Sequence, residues 1–357
     1  MRRNEPGPIS LSARPPGALV GRAAESAAIQ RMVGRARLVT ITGPPGVGKT
    51  AVGIAAAAAM RTDFADGAWL VPLDSLRDAD LLPHTIADAL RVPDQLTRGR
   101  LEALVDELRD RRLLLVLDTC EHLIGACAGL AMRLLLPPCP GVRILVTSRE
   151  PLSVPGGLTM TIRPLPPHHA VTMFGERAAE AAPGFRITPD NQETVEAICR
   201  RLDRLPLAIE LAARQLASGS LEELRSRLRE DYWFLRNSGD SPPRHETLRT
   251  AIGWSHQLCS PPERLLWARL SVFTGSFRLR DAQDVCTDKH LPNLAVAVAV
   301  PMLAERSILL TDRQSQPRAR FRLPATLRAY GAGMLRRLGD DAGWQRRYQA
   351  WLHAHPA

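Results

Sequence analysis

The chain has 357 residues, 45% of them hydrophobic and 24% charged, which is material for two or three domains with real cores and excludes wholesale disorder, a coiled coil or a small disulfide scaffold. Its formal net charge is +10, yet only two of 47 basic residues are lysine, Lys49 and Lys289, so the excess is arginine; such charge permits phosphate contacts without defining a nucleic-acid partner. No apolar run approaches the roughly 18 residues of a membrane helix, the N-terminus lacks the apolar stretch of a signal peptide, and Cys120, Cys127, Cys139, Cys199, Cys259 and Cys286 form no C-x-x-C pair. These features predict a cytoplasmic protein with reduced, buried thiols and no membrane partner.

Residues 1–18, rich in proline and glycine, read as a flexible lead-in. From Leu38 onward strands and helices alternate. LVTIT (38–42) ends in GPPGVGKT and is followed by an alanine-rich helix over 50–61; AWLVPL (68–73) is a strand, with helices at 78–91 and 100–111. LLLVLD (113–118) and RILVTS (143–148) are unbroken apolar runs, as strands buried on both faces of a parallel sheet require. A helix at 121–136 separates them, and TMTIRPL (159–165) is the last strand. The alternation predicts a doubly wound parallel α/β domain over 19–165. Helical periodicity then takes over at 168–182, 190–203, 206–217 and 221–230, giving an all-helical domain over 166–236. The loop NSGDSPPR (237–244) precedes helices at 245–257, 261–271, 279–286 and 294–305, with Pro301 expected to kink or shorten the last. Two strand-like runs, 307–311 and 319–323, and a helix at 325–338 complete a predicted winged-helix domain over 237–340, followed by a helical tail over 341–357.

Gly43-Pro44-Pro45-Gly46-Val47-Gly48-Lys49-Thr50 fits G-x-x-x-x-G-K-[ST] after a strand and before a helix, the context that gives the pattern its meaning. Glycines let backbone N–H groups turn toward phosphate oxygens, and the helix N-terminus adds partial positive charge. Lys49 is placed to bridge β- and γ-phosphates, and the Thr50 hydroxyl to ligate Mg²⁺. A second metal-side carboxylate is needed at the end of a neighbouring buried strand; Asp118 closes LLLVLD, although an aspartate there also suits a helix cap. Thr119 stands where fast ATPases often place an acid, Glu121 reads as opening a helix, and slow hydrolysis is expected. Arg149 follows the next buried strand, where strand C-termini face a ligand crevice, and so is expected to reach the γ-phosphate.

Together LVGRAAE (19–25), GPPGVGKT, LLLVLDTCEHL (113–123), RILVTSRE (143–150) and RLPLAIELAA (204–213) resemble the NB-ARC module of bacterial STAND ATPases. Residues 244–277 and 320–335 resemble the winged-helix part of the same group. The resemblance implies that Val20, Gly21 and Arg22 line the adenine and ribose side, that Ala51 belongs to the nucleotide contact, and that Pro206 packs on adenine. The bland alternative for Pro206 is a helix-initiating proline. It further implies ATP/ADP with Mg²⁺ as cofactors and a partner or self-assembly controlled by the ATP state, as in transcriptional or stress regulation. The sequence departs from the group at Thr119, where asparagine is usual, and at Pro324 and Ala325, where a histidine or acid often contacts nucleotide.

Two other functions compete. Arg318, Arg320 and Arg322 on the predicted wing allow phosphate contacts to DNA with ATP as effector. The helix before the hairpin is almost wholly apolar, however, and ill suited to reading bases. A P-loop small-molecule kinase needs an acid/base constellation, and none is apparent.

Overall fold

The computed structural model describes residues 9–10, 19–92, 99–135, 138–236, 247–312 and 319–355. The chain forms two compact units, Met1–Gly43 with Gly48–Ile162, and Pro44–Val47 with Arg163–Ala357. Among the described residues no helix is long and apolar enough to cross a membrane. All six cysteines are free and buried.

The first unit runs β1 (Ile9–Ser10), α1 (Ala23–Arg35), β2 (Leu38–Thr42), α2 (Lys49–Ala59), β3 (Ala68–Pro72), α3 (Leu82–Ala89), α4 (Arg100–Leu108), β4 (Leu114–Asp118), α5 (Ile124–Leu135), β5 (Arg143–Thr147) and β6 (Leu158–Thr161). Strand order is β1-β3-β4-β5-β2-β6, with β3 to β6 and β2 mutually parallel and β1 antiparallel on β3. The parallel α/β class expected from alternation is therefore present. Burial explains the unbroken apolar runs, since every residue of β2 and β4 is buried. Successive side chains of a strand face opposite ways. Leu113, Leu115 and Leu117 share one core with Ile86, Leu104, Leu108, Cys127 and Leu134 of the helices, each large apolar side chain contributing about 1.5–3 kcal/mol on burial.

Three details differ from expectation. Ile9–Ser10, inside the stretch read as a flexible lead-in, pair with Trp69 and Leu70 of β3; residues 1–8 and 11–18 lie outside the described residues. Helix α1 has no counterpart in the sequence reading, because its alanine-rich register makes a weak stripe in which Ile29 and Val33 are buried. The strand bearing Asp118 is not beside the loop strand: β5 pairs with both β4 and β2 and lies between them.

The second unit is helical: α6 (Pro167–Ala181), α7 (Pro189–Arg201), α8 (Pro206–Arg214), α9 (Leu221–Glu230), α10 (Leu248–Leu258), α11 (Pro261–Leu270), α12 (Leu279–Cys286), α13 (Asn293–Glu305), β7 (Leu310–Asp312), β8 (Arg320–Arg322), α14 (Ala325–Arg337) and α15 (Asp341–Ala354). Local chemistry starts these helices. Proline occupies the first turn of α6, α7, α8 and α11, where its missing N–H costs nothing. At α9 Ser220 and Glu223 exchange reciprocal hydrogen bonds, a capping box. The α13 helix runs unbroken through Pro301 instead of stopping short. Trp267 of α11 is 1% exposed and donates its indole N–H to Leu327 O of α14 at 2.9 Å. Strands β7 and β8 form an antiparallel hairpin, and α15 buries Trp344 and Tyr348 while packing on α12 and α14. The loop 237–244 and Arg313 and Arg318 fall outside the described residues.

Candidate phosphate-binding site

Strand β2 ends at Thr42 and α2 begins at Lys49, leaving Gly43–Gly48 as the connecting loop. Gly46 and Gly48 have φ of +74° and +91°, left-handed values that only glycine adopts without strain. A Cβ at Gly46 would in addition lie 3.0 Å from Leu207 Cβ. The loop curls on itself, with Val47 N donating to Pro44 O at 3.3 Å and Lys49 Nζ donating to Gly43 O at 2.9 Å. The first turn of α2 holds no acidic residue, so the positive dipole end of the helix faces no competing side-chain anion of that turn. A left-handed glycine loop, an ammonium and a helix N-terminus are together suited to a phosphate chain.

Asp118, at the C-terminal end of β4, is 2% exposed. Thr50 Oγ1 donates to its Oδ1 at 2.6 Å, Thr147 Oγ1 donates to the same oxygen at 2.5 Å, and Thr119 Oγ1 donates to Oδ2 at 3.2 Å. Thr147, at the end of the intervening strand β5, thus spans the gap that the strand order opens. It also accepts from Thr119 N at 2.9 Å. Thr119 has φ of +66°, an outlier for a β-branched residue and a sign that its surroundings hold it in place. The Thr50 hydroxyl and the Asp118 carboxylate are adjacent hard oxygen donors, the type Mg²⁺ takes alongside water and phosphate oxygens, so the residues present fit that ion.

Arg149 lies just beyond β5. It is 8% exposed, and its Nε donates to Glu121 Oε1 at 2.9 Å. Glu121 does not open a helix, contrary to expectation: α5 starts at Ile124, and Glu121 sits in the loop before it with its side chain 7% exposed. Burial pushes its carboxyl up, but Arg149 and then Lys49 outweigh that and hold it below the usual glutamate value.

Val20 and Gly21 form a turn before α1, with Gly21 at φ +65°, and Arg22 is buried at its N-cap with Nη1 donating to Glu25 at 2.7 Å. Ala51 is in the first turn of α2, and Pro206 opens α8. Within the second unit, Leu207 N donates to Gly46 O at 3.1 Å. Sequence reasoning passed over Thr147, Glu121 as the partner of Arg149, and Leu207. A threonine ending an otherwise apolar buried strand was the one available signal, for Thr147.

The strand order and glycine loop define the fold class of the P-loop ATPases. The Walker-type ATPase paby2304 of Pyrococcus abyssi is similar over 90% of this chain and 99% of its own, with a TM-score of 0.58 and 14% identity. The Aeropyrum pernix ORC2 protein, solved in ADPNP-ADP complexes, is similar over 96% and 97%, with a TM-score of 0.53 and 16% identity. No family model matches the sequence. The chain belongs to the family of the Mycobacterium tuberculosis protein named "Uncharacterized protein Rv0894", to which it is 35% identical over 336 residues, 93% of this chain and 85% of that one. It is also 37% identical over 316 residues to the M. tuberculosis protein named "Putative HTH-type transcriptional regulator Rv0890c", covering 88% of this chain but about a third, 35%, of that longer protein.

Proposed function

We propose that the chain is a regulatory ATPase core that binds ATP or ADP with Mg²⁺ at Gly43–Thr50 and hydrolyses ATP slowly, as a switch. The observation that carries this reading is the cluster at the strand ends. Lys49 closes a left-handed glycine loop, and the adjacent Thr50 shares a hydrogen bond with buried Asp118. Bound Mg²⁺ supplies charge neutralisation for the phosphates. Thr50 and Asp118 hold it, Lys49 and the α2 N-terminus bind phosphate oxygens, and Arg149 senses the γ-phosphate. Thr119 turns its hydroxyl back onto Asp118 at 3.2 Å and supplies no base, which supports slow turnover.

On the same reading, Val20, Gly21, Arg22 and Pro206 take the base and ribose, and the module is of the NB-ARC type found in STAND ATPases. Helices α11–α13, the β7/β8 hairpin and α14 serve as its winged helix. The relative named for an HTH-type regulator supports an output in transcription, through a partner or self-assembly in the ATP state. Direct DNA contact by this chain is the weaker reading. Arg320 donates to Ser276 Oγ and O at 3.0 Å each, and Arg322 lies 3.6 Å from Asp203, so the two wing arginines among the described residues already have partners.

The test is to denature purified protein, identify any released nucleotide by chromatography, and follow phosphate release on adding Mg-ATP. Retained ADP with turnover well below about one per second is expected. An empty site with fast turnover would contradict the switch.

A further inference from the structure

The turn between α7 and α8 is bonded at both of its ends. Asp203 is 8% exposed, and Asp203 and Arg204 both have φ of +54°, a conformation costing about 1–2 kcal/mol per non-glycine residue. It is held by Asp203 N donating to Arg200 O at 3.1 Å, Arg204 N to Cys199 O at 2.9 Å and Leu165 N to Arg204 O at 3.1 Å. What the strained turn achieves is aim. Asp203 Oδ1 accepts from Ala325 N at 3.0 Å, and Oδ2 accepts from Thr326 N at 2.9 Å and Thr326 Oγ1 at 3.0 Å. These are the first amides of α14, whose own N-cap, Pro324, makes no side-chain cap bond. A carboxylate from a distant turn therefore does the capping, at the positive end of the helix dipole. Four residues further on, Leu207 N donates to Gly46 O in the phosphate loop at 3.1 Å, and a Cβ at Gly46 would lie only 3.0 Å from Leu207 Cβ.

We propose that Asp203 is a positioning residue for the phosphate loop. Its clasp on α14 fixes the 203–207 turn, and the turn fixes the peptide at Gly46 through Leu207, so that α14 docking and nucleotide binding are linked. The proposal rests on the reading of Gly43–Thr50 as a nucleotide site. Linkage is reciprocal: if the clasp improves nucleotide affinity, nucleotide tightens the clasp by the same factor. A cap that merely stabilises α14 predicts no such effect.

Hydrogen exchange of the full wild-type chain with and without saturating Mg-ADP tests this directly. The amides of 325–328 are expected to gain at least about fivefold protection beyond any gained by α11. Asp203→Ala is expected to lose ADP affinity by a similar factor, with Asp203→Asn, which keeps one acceptor oxygen, in between. Should Asp203→Ala fail to fold, Thr326→Val removes only the hydroxyl bond and is expected to shift affinity the same way by less. ADP binding with unmoved exchange at 325–328, or a folded Asp203→Ala with wild-type affinity, overturns the linkage alone. Absence of ADP binding to the wild type overturns the site reading and the linkage with it.

Discussion

At the residue scale the site is a set of buried charges that need one another. Glu121 and Arg149 are 7% and 10% exposed at the side chain, so removing either leaves the other charged and enclosed, at a cost of about 3–5 kcal/mol. Because the folded-state pKa of Glu121 is depressed, its contribution to stability is fully present above the usual glutamate value of 4.5 and is lost as pH falls through the lower folded value. Urea denaturation at several pH values should therefore show the parent losing stability below that point, with a flatter profile for Glu121→Gln; parallel profiles would sink the assignment. Arg149→Ala is expected to weaken ATP binding more than ADP binding in calorimetric titrations, and equal losses would reduce Arg149 to a structural partner of Glu121. Thr119 gives a third prediction. Asparagine tolerates φ of +66° far better than threonine does, so Thr119→Asn should raise stability by about 1 kcal/mol in thermal melts. The positions of Lys49, Thr50, Asp118 and Arg149 were legible because the loop motif is local and strand ends can be read from apolar runs. Thr147 and the Glu121–Arg149 pair were not, because they depend on β5 inserting between β2 and β4, and strand order is not written in hydropathy.

At the element scale, the strongly periodic helices and the continuously apolar strands were readable, and weakly patterned pieces were not. Helix α1 carries two fully buried residues, Ile29 and Val33, and β1 is two residues long, too short for any period to show. Pro301 was expected to kink or shorten its helix, and α13 is not shortened but continues to Glu305. Val296, Ala299, Val300 and Leu303 are buried along it, and that burial outweighs the about 3 kcal/mol a helix-interior proline costs. Helix α14 packs tightly on α11 at Gly331, where an added Cβ would lie 2.9 Å from Trp267 O and 3.0 Å from Trp267 Cδ1. The neighbour there is partly backbone and cannot swing away. Gly331→Ala is accordingly expected to destabilise the second unit by about 1–3 kcal/mol despite alanine's better helix propensity; a neutral or stabilising result by denaturant titration would show the interface to be looser than its geometry.

At the scale of the whole molecule, the proposed function rests on the loop that joins β2 to α2. A switch needs contacts that differ between its two states, and a phosphate chain held by this loop is the ligand that would make that difference. Such a switch turns on nucleotide occupancy, which is measured by titrating Mg-ADP and Mg-ATP into the intact chain and into Lys49→Ala under identical conditions. Saturable binding to the wild type, weakened at least about tenfold in a Lys49→Ala protein that still melts cooperatively, is the predicted result. Equal affinity in the two proteins, or no binding to either, would contradict it.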